Sequence, residues 1–334
     1  MLFQGTVLGP ILWNLFFEDS RGPINKSGFR EITFADDLNA FKCVARSVRN
    51  TTVMRHAKKC QAELHKWGDA NKVAFDGSKE NFCVISRFTP EGEGFDLLGL
   101  KFDTGLYMDE YIFQLRDSAN WKLRNLFRTR RYYDTATLIT QYKTMILGYI
   151  EYRTAGIYNC CSSLLQHIDK IQGRLLQSLD VTSTEALMEY HVAPLSSRRD
   201  IAMLGVIHRA VLGDGPDHFR KFFIIEGGNV HPGGREDVRR HSFQLQTYRR
   251  GHFLELASNS ILGLVDIYNL LPASVVAAKT VRNFQQRLQG MLKVSASEEQ
   301  TNWDMLFSPR STLFNHKLRE VRVWEWQKFM RNND

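Results

Sequence analysis

Residues 31–42 read EITFADDLNAFK. Ile32, Phe34 and Phe41 are strand formers around a polar centre, which predicts two short strands joined at Asp36-Asp37. Adjacent carboxylates at a tight turn repel each other, so the pair is costly unless water or a cation screens it. A divalent cation is a natural partner. Mg²⁺ prefers oxygen ligands and is usually held by one or two carboxylates together with substrate phosphates. Two-metal phosphoryl transfer requires such carboxylates: one ion activates an attacking hydroxyl and the other stabilises the leaving oxygen. Taken in isolation, two aspartates that solvate a hairpin tip satisfy the same pattern.

Upstream, residues 7–17 (VLGPILWNLFF) form an apolar run with Pro10 near its start. Pro at a first helical position followed by Leu12, Leu15 and Phe16 predicts a buried helix. Gln4-Gly5 precede it, and a glycine there lets the backbone come close to a base or sugar. Downstream, Val53, Ala57, Cys60, Leu64 and Trp67 recur at helical spacing, so residues 47–73 read as a helix. Residues 81–88 and 95–102 are β-like, separated by a Pro/Gly/Glu loop. Residues 1–105 therefore make one α+β unit. From about residue 119 the pattern turns helical, with helices expected at 119–131, 134–153, 162–179, 183–190 and 196–212. In the second of these, Leu138, Tyr142, Met145, Ile146 and Tyr149 fall on one face. A glycine-rich loop over 226–235 leads to a last helix at 281–292. The expected division is 1–105, a helical 106–225, and a helical region with loops at 226–334.

The chain has 334 residues, 43% hydrophobic and 24% charged, which excludes a disordered tail, a collagen-like fibre and a coiled-coil rod. No apolar stretch is long enough for a membrane span, and no secretory leader is apparent. The five cysteines form neither a CxxC pair nor a zinc spacing, so a reduced intracellular compartment is expected. There are 44 Lys and Arg against 36 Asp and Glu, a net charge of +8. Residues 121–250 hold 19 basic and 12 acidic side chains, so nearly all of the excess lies there. A basic face of this kind suits nucleic acid, although a solvated surface has the same composition. Arg128, Arg130 and Arg131 cluster beside Tyr132 and Tyr133, and basic residues next to aromatics fit a nucleic-acid backbone and stacked bases.

Taken in order, these residues resemble a reverse transcriptase (RNA-directed DNA polymerase) of the LINE-type, non-LTR retrotransposon family, near the jockey-like elements. The resemblance runs from QGTVLGPILWNLFF through Phe34-Ala35-Asp36-Asp37, Trp67 with Ala70-Asn71-Lys72, Lys79 and Leu98-Gly99, then the helices of 119–180. It ends with Tyr268-Asn269-Leu270-Leu271-Pro272 and residues 281–288. It implies a polymerase palm of short antiparallel strands and helices, then a helical thumb. Asp36 and Asp37 would be the catalytic ligands of Mg²⁺ or Mn²⁺, with Asp36 the direct one. Gln4 and Gly5 would border the template or nucleotide, and Lys79 the nucleotide phosphates. Leu98 and Gly99 would form the primer grip, and Arg128, Arg130 and Arg131 would meet the nucleic-acid backbone. The implied partners are an RNA template, a DNA primer and a dNTP, and the implied location is nuclear.

Leu2-Phe3 stand where the family usually has Val-Pro, and a second departure decides how far the function carries over. The family's third aspartate comes from a strand several dozen residues before the Gln-Gly, and here only three residues precede Gln4. The expectation is a truncated palm, inactive alone, with unpaired sheet edges and uncovered apolar faces. A non-catalytic nucleic-acid-binding helical protein and a product that does not fold are the alternatives.

Overall fold

The computed structural model describes residues 6–226, 241–247, 254–310 and 318, without the side chains of 254–256. The chain divides into two compact units, Met1–Met108 and Asp109–Asp334.

The first unit mixes helices with two small antiparallel sheets. Its order is α1 (Gly9–Phe17), α2 (Arg21–Lys26), β1 (Arg30–Phe34), β2 (Asp37–Phe41), α3 (Asn50–Asn71), β3 (Phe95–Leu97) and β4 (Leu100–Phe102). β1 and β2 pair with Phe34 opposite Asp37, so Ala35 and Asp36 form the turn. Ala35 has φ 56, in the left-handed region that tight hairpin turns use. Ile24, Phe29 and Cys60 form a small core beneath the hairpin, with Leu38, Ala57 and Leu64 packed against it.

Two expectations for this unit need correction. Residues 95–102 are not one strand. The chain reverses at Leu98-Gly99, whose φ angles of 50 and 77 are both positive, as a two-residue hairpin turn of this hand requires. Gly94 seals the start of that hairpin: a Cβ there would lie 2.2 Å from the Phe102 carbonyl oxygen. The 81–88 segment supplies one bridge, Val84 to Glu91, and no strand. Second, α1 is not a buried helix. Phe17 is its one buried residue, while Ile11, Leu15 and Phe16 stand 58%, 69% and 40% exposed. A helix apolar around its whole circumference can press only one stripe onto a two-stranded sheet and a single neighbouring helix, and the rest stays uncovered.

The second unit is helical, with one β-bridge, Ile225 to Leu245, among the described residues. α4 (Asp109–Thr129) starts well before the expected 119, with Asp109 and Glu110 favouring its N-terminus. Then come α5 (Thr135–Tyr142), α6 (Gly148–Glu151), α7 (Thr154–Ile157), α8 (Ser162–Ser178), α9 (Ser183–Met188) and α10 (Leu195–Val211). α11 (Leu254–Asn259), α12 (Leu264–Leu270), α13 (Ala273–Val276) and α14 (Val281–Ser297) follow. α4 and α8 pack along their length, burying Ile112, Leu115, Leu123 and Leu126 on one helix and Leu165, Ile168, Ile171 and Leu175 on the other.

Between α5 and α6 a π-helical turn spans Lys143–Leu147. A π turn holds an extra residue, which rotates whatever follows out of the 3.6-residue register. The expected single face over 134–153 is therefore split. Leu138, Tyr142 and Ile146 are buried, but Met145 is 53% exposed and Tyr149 is only half-buried.

A second core joins α10, α12 and α14 through Leu204, Ile207, Tyr268, Phe284, Leu288 and Leu292. It extends from Tyr158 to Leu318 and so runs across residue 226. His208 sits at its centre, fully buried and stacked on Phe284 at 4.1 Å. Its Nε2 lies 2.9 Å from the Ala278 carbonyl, which can only accept, so Nε2 carries the proton. Nδ1 then accepts from the Tyr268 hydroxyl at 3.0 Å. Asn269 clamps the strand-like segment below: it accepts from Leu245 N and donates to Leu245 O, both at 2.8 Å.

Candidate functional site

The Asp36-Asp37 pair lies at the exposed tip of the β1–β2 hairpin, Asp36 in the turn and Asp37 as the first residue of β2. Two interactions hold the hairpin to its surroundings. The Trp13 indole of α1 donates to the Ala35 carbonyl at 3.0 Å, inside the turn itself. At the other end of the hairpin's approach, Arg21 pairs with Glu31 of β1 at 2.5 Å. Trp13 stacks on Phe17 at 5.2 Å, and Phe17 meets Trp67 of α3 edge-on at 5.6 Å. Phe16 also contacts Trp67, with ring centroids 6.1 Å apart. Three stretches separated by tens of residues, the α1 run, the Asp-Asp turn and the Trp67 segment, thus meet in one aromatic cluster.

Asp36 sits in the turn and Asp37 opens β2, and both are exposed, so nothing packed around them fixes the pair as a chelate. The donor set suits one hard cation held by one carboxylate, the rest of its shell coming from phosphate and water. It does not suit two ions about 4 Å apart, which need bridging carboxylates on rigid elements. Glu18 does not supply a third, because it pairs with Arg21. Among the described residues no three His, Cys, Asp or Glu side chains gather where they could hold a metal ion.

The other expected site residues are placed as follows. Gln4 and Gly5 lie outside the described residues. Lys79 closes an Asp76–Lys79 turn, in which the Ser78 amide and hydroxyl donate to Asp76 at 3.0 and 2.6 Å. Those bonds hold the Asp76 carboxyl below its ordinary range. The Lys79 ammonium is largely exposed and 3.8 Å from Asp76, so it faces solvent with a weak local partner. The turn is anchored by Glu80, which accepts from Gln61 and lies 2.6 Å from His65 Nε2, both on α3. Leu98 and Gly99 form the β3–β4 turn rather than the body of a strand.

In the second unit, Arg128 lies in the last turn of α4, and Arg130 and Arg131 form the turn after it. All three are exposed. Arg131 lies over the Tyr132 ring at 4.7 Å, and Arg130 reaches the Ser178 carbonyl at 3.4 Å. A further cationic–aromatic group went unnoticed in the sequence. Lys122 and Arg153 cover Tyr149 at 4.9 and 4.0 Å, and Arg153 also donates to the Tyr111 hydroxyl at 2.8 Å. Beside Lys122, Trp121 is 63% exposed. The signal was present as Trp-Lys followed by Arg124 and Arg128. Spacing places these residues on one helix face but does not say whether packing covers that face.

A separate polar cluster borders a cavity of about 350 Å³ in the second unit. Most of its polar groups bond to one another. Arg199, buried, makes a bidentate pair with Asp169 at 2.6 and 2.8 Å. Tyr158 donates to Asp200 at 2.6 Å, and Arg310 donates to the Tyr158 and Cys160 carbonyls at 2.7 and 3.2 Å. This cluster braces α8, α10 and the 304–310 segment, and among the described residues the buried Arg310 Nε has no hydrogen-bond partner.

No family model, no curated protein and no solved structure matches the chain. Among the described residues no helix is long and apolar enough to cross a membrane.

Proposed function

We propose that this chain carries the metal-binding hairpin and thumb of a LINE-type reverse transcriptase. In this reading Asp36, with Asp37 beside it, holds one Mg²⁺ or Mn²⁺ together with the triphosphate of a dNTP, and the basic face of the second unit meets the primer–template. The observation that supports it best is the Trp13 bond to the Ala35 carbonyl. It ties the helix that would line the nucleotide pocket to the turn that would hold the metal. Trp13 sets the turn's carbonyl, the turn sets the direction of Asp36, and the Trp67 cluster keeps α1 from rolling away. A bound cation would neutralise phosphate charge at that tip. Polymerisation by these residues alone is not part of the reading, since a third carboxylate is not among those described.

The test is dTTP-dependent Mn²⁺ binding, followed by electron paramagnetic resonance on the full chain. Asp36→Ala should weaken it by about tenfold or more, the scale of loss when a metal site is disrupted. Trp13→Phe, which removes the indole donor and keeps the ring, should weaken it less. Unchanged affinity in Asp36→Ala would sink the assignment. A second reading, a non-catalytic nucleic-acid-binding protein, draws on the exposed arginine–tyrosine group after α4. Under it, binding of an RNA–DNA hybrid persists in Asp36→Ala and falls steeply with salt.

A further inference from the structure

We infer that the outer face of α4 is a track for single-stranded nucleic acid, with Trp121 as a platform on which an unpaired base stacks; this deepens the nucleic-acid half of the function proposed above. Trp121, Arg124 and Arg128 follow one another at spacings of three and four, so they share a stripe about 10 Å long on a helix rising ~1.5 Å per residue. The stripe is exposed, because the opposite face of α4, through Leu115, Ala119, Leu123 and Leu126, is buried against α8. Arg131 and Tyr132 continue it beyond the helix end.

The ring of Trp121 is the unusual element. A tryptophan normally buries its apolar body and finds a partner for its N–H. Here, among the described residues, the ring is open to solvent and has no hydrogen-bond or ring partner, whereas Tyr132 is covered on one side by Arg131 and Tyr149 by Lys122 and Arg153. The acidic group nearest along the stripe, Asp117, pairs with Arg116 at 2.8 Å and also interacts with Arg124, so Arg116, Arg124 and Arg128 together leave the stripe net positive. Among the described residues Arg128 has only a long 3.5 Å contact to Asn125. An open aromatic face flanked by such cations matches the way proteins hold single strands: cations follow the phosphates and aromatics stack bases. A duplex fits less well. Its bases are already stacked on one another, so an exposed indole gains little from it, whereas an unstacked base gains a π-face partner.

The experiment is fluorescence anisotropy on the full chain with three labelled probes: oligo(U), oligo(dT) and an RNA–DNA hybrid of equal length, at 50 and 200 mM salt. Trp121→Ala should weaken both single-stranded probes by about 5- to 150-fold, the range for loss of one stacked base, and the hybrid much less. Trp121→Phe should recover most of the loss. Arg124→Ala with Arg128→Ala should flatten the salt dependence for single strands by about 1.4 in slope, two phosphates at ~0.7 each. Equal weakening of hybrid and single strand in Trp121→Ala would overturn the track and favour a duplex surface. Unchanged single-strand binding, or no binding by the native chain, would overturn it outright. None of these results depends on dTTP-dependent Mn²⁺ binding, so the hairpin assignment can fail while this one stands, and the reverse.

Discussion

Asp169→Ala is expected to lower the unfolding free energy by about 3–5 kcal/mol, the cost of leaving a buried charge without its partner. Arg199 is 5% exposed, on the first turns of α10, and its guanidinium forms two parallel bonds to Asp169 on α8. Such a fork is directional, so it sets the relative rotation of the two helices as well as neutralising the charge. Removing the carboxylate leaves an arginine that cannot shed its proton and cannot easily reach water. The measurement is urea denaturation, with a shifted midpoint and an unchanged slope showing that stability alone has moved. The control is Asp169→Leu with Arg199→Met. Replacing both partners by apolar groups of similar size removes the unpaired charge, so most of the lost stability should return. A single-variant loss under about 1 kcal/mol would mean that water, or an ionised Asp200 beside it, takes over the Arg199 charge.

Asp200→Asn should change how stability depends on pH. Burial pushes the Asp200 carboxyl up from 3.8 to about 7, even though the Tyr158 hydroxyl donates to it and Arg310 and Arg199 lie near. A folded pKa raised above the unfolded value means that the folded state holds the proton more tightly. The stabilisation is complete below 3.8 and is lost as the pH rises through about 7. Between pH 5 and pH 8 the native chain should therefore lose on the order of 2 kcal/mol that the asparagine variant keeps. The buried histidines act in the opposite sense. Burial lowers the pKa of His208 and of His241 from 6.5, so their contribution is complete above 6.5 and falls away as the pH drops below it. The native chain should be most stable near pH 6–7, and the asparagine variant should stay level above that. Denaturation midpoints at pH 5, 6.5 and 8 check this. Identical pH slopes for the two chains would show that Asp200 is ionised in the folded state throughout.

Much of the local order was readable in advance. The 31–42 hairpin, α3, α8, α10 and α14 follow from periodicity that repeats over enough residues to outvote single-residue propensities. Asp134 and Thr182 cap α5 and α9 at the positions their types suggest, each accepting from the amide three residues on. Errors arose where a local signal met a constraint from elsewhere. Residues 95–102 carry a strand composition, yet Gly94 and Gly99 make a reversal cheaper than extension. Residues 143–147 carry a helical pattern, yet the turn they form holds an extra residue and sends Met145 outward. The apolar run of α1 looks like a core helix because composition does not say how much neighbouring surface is present to cover it.

By itself the sequence determined the paired carboxylates at a hairpin turn, the basic excess after residue 120 and the change from mixed to helical structure, because each depends on residue type and short-range spacing. Only the tertiary structure decided that Trp13 reaches the Ala35 carbonyl across 22 positions, that Arg199 and Asp169 form a buried pair, and that Trp121 is left open while Lys122 turns to Tyr149. Those outcomes depend on which helix faces are consumed by packing. That is settled by the close-packed fit of α4 against α8 and by the one indole bond that ties α1 to the hairpin turn, not by any stretch of residues read alone.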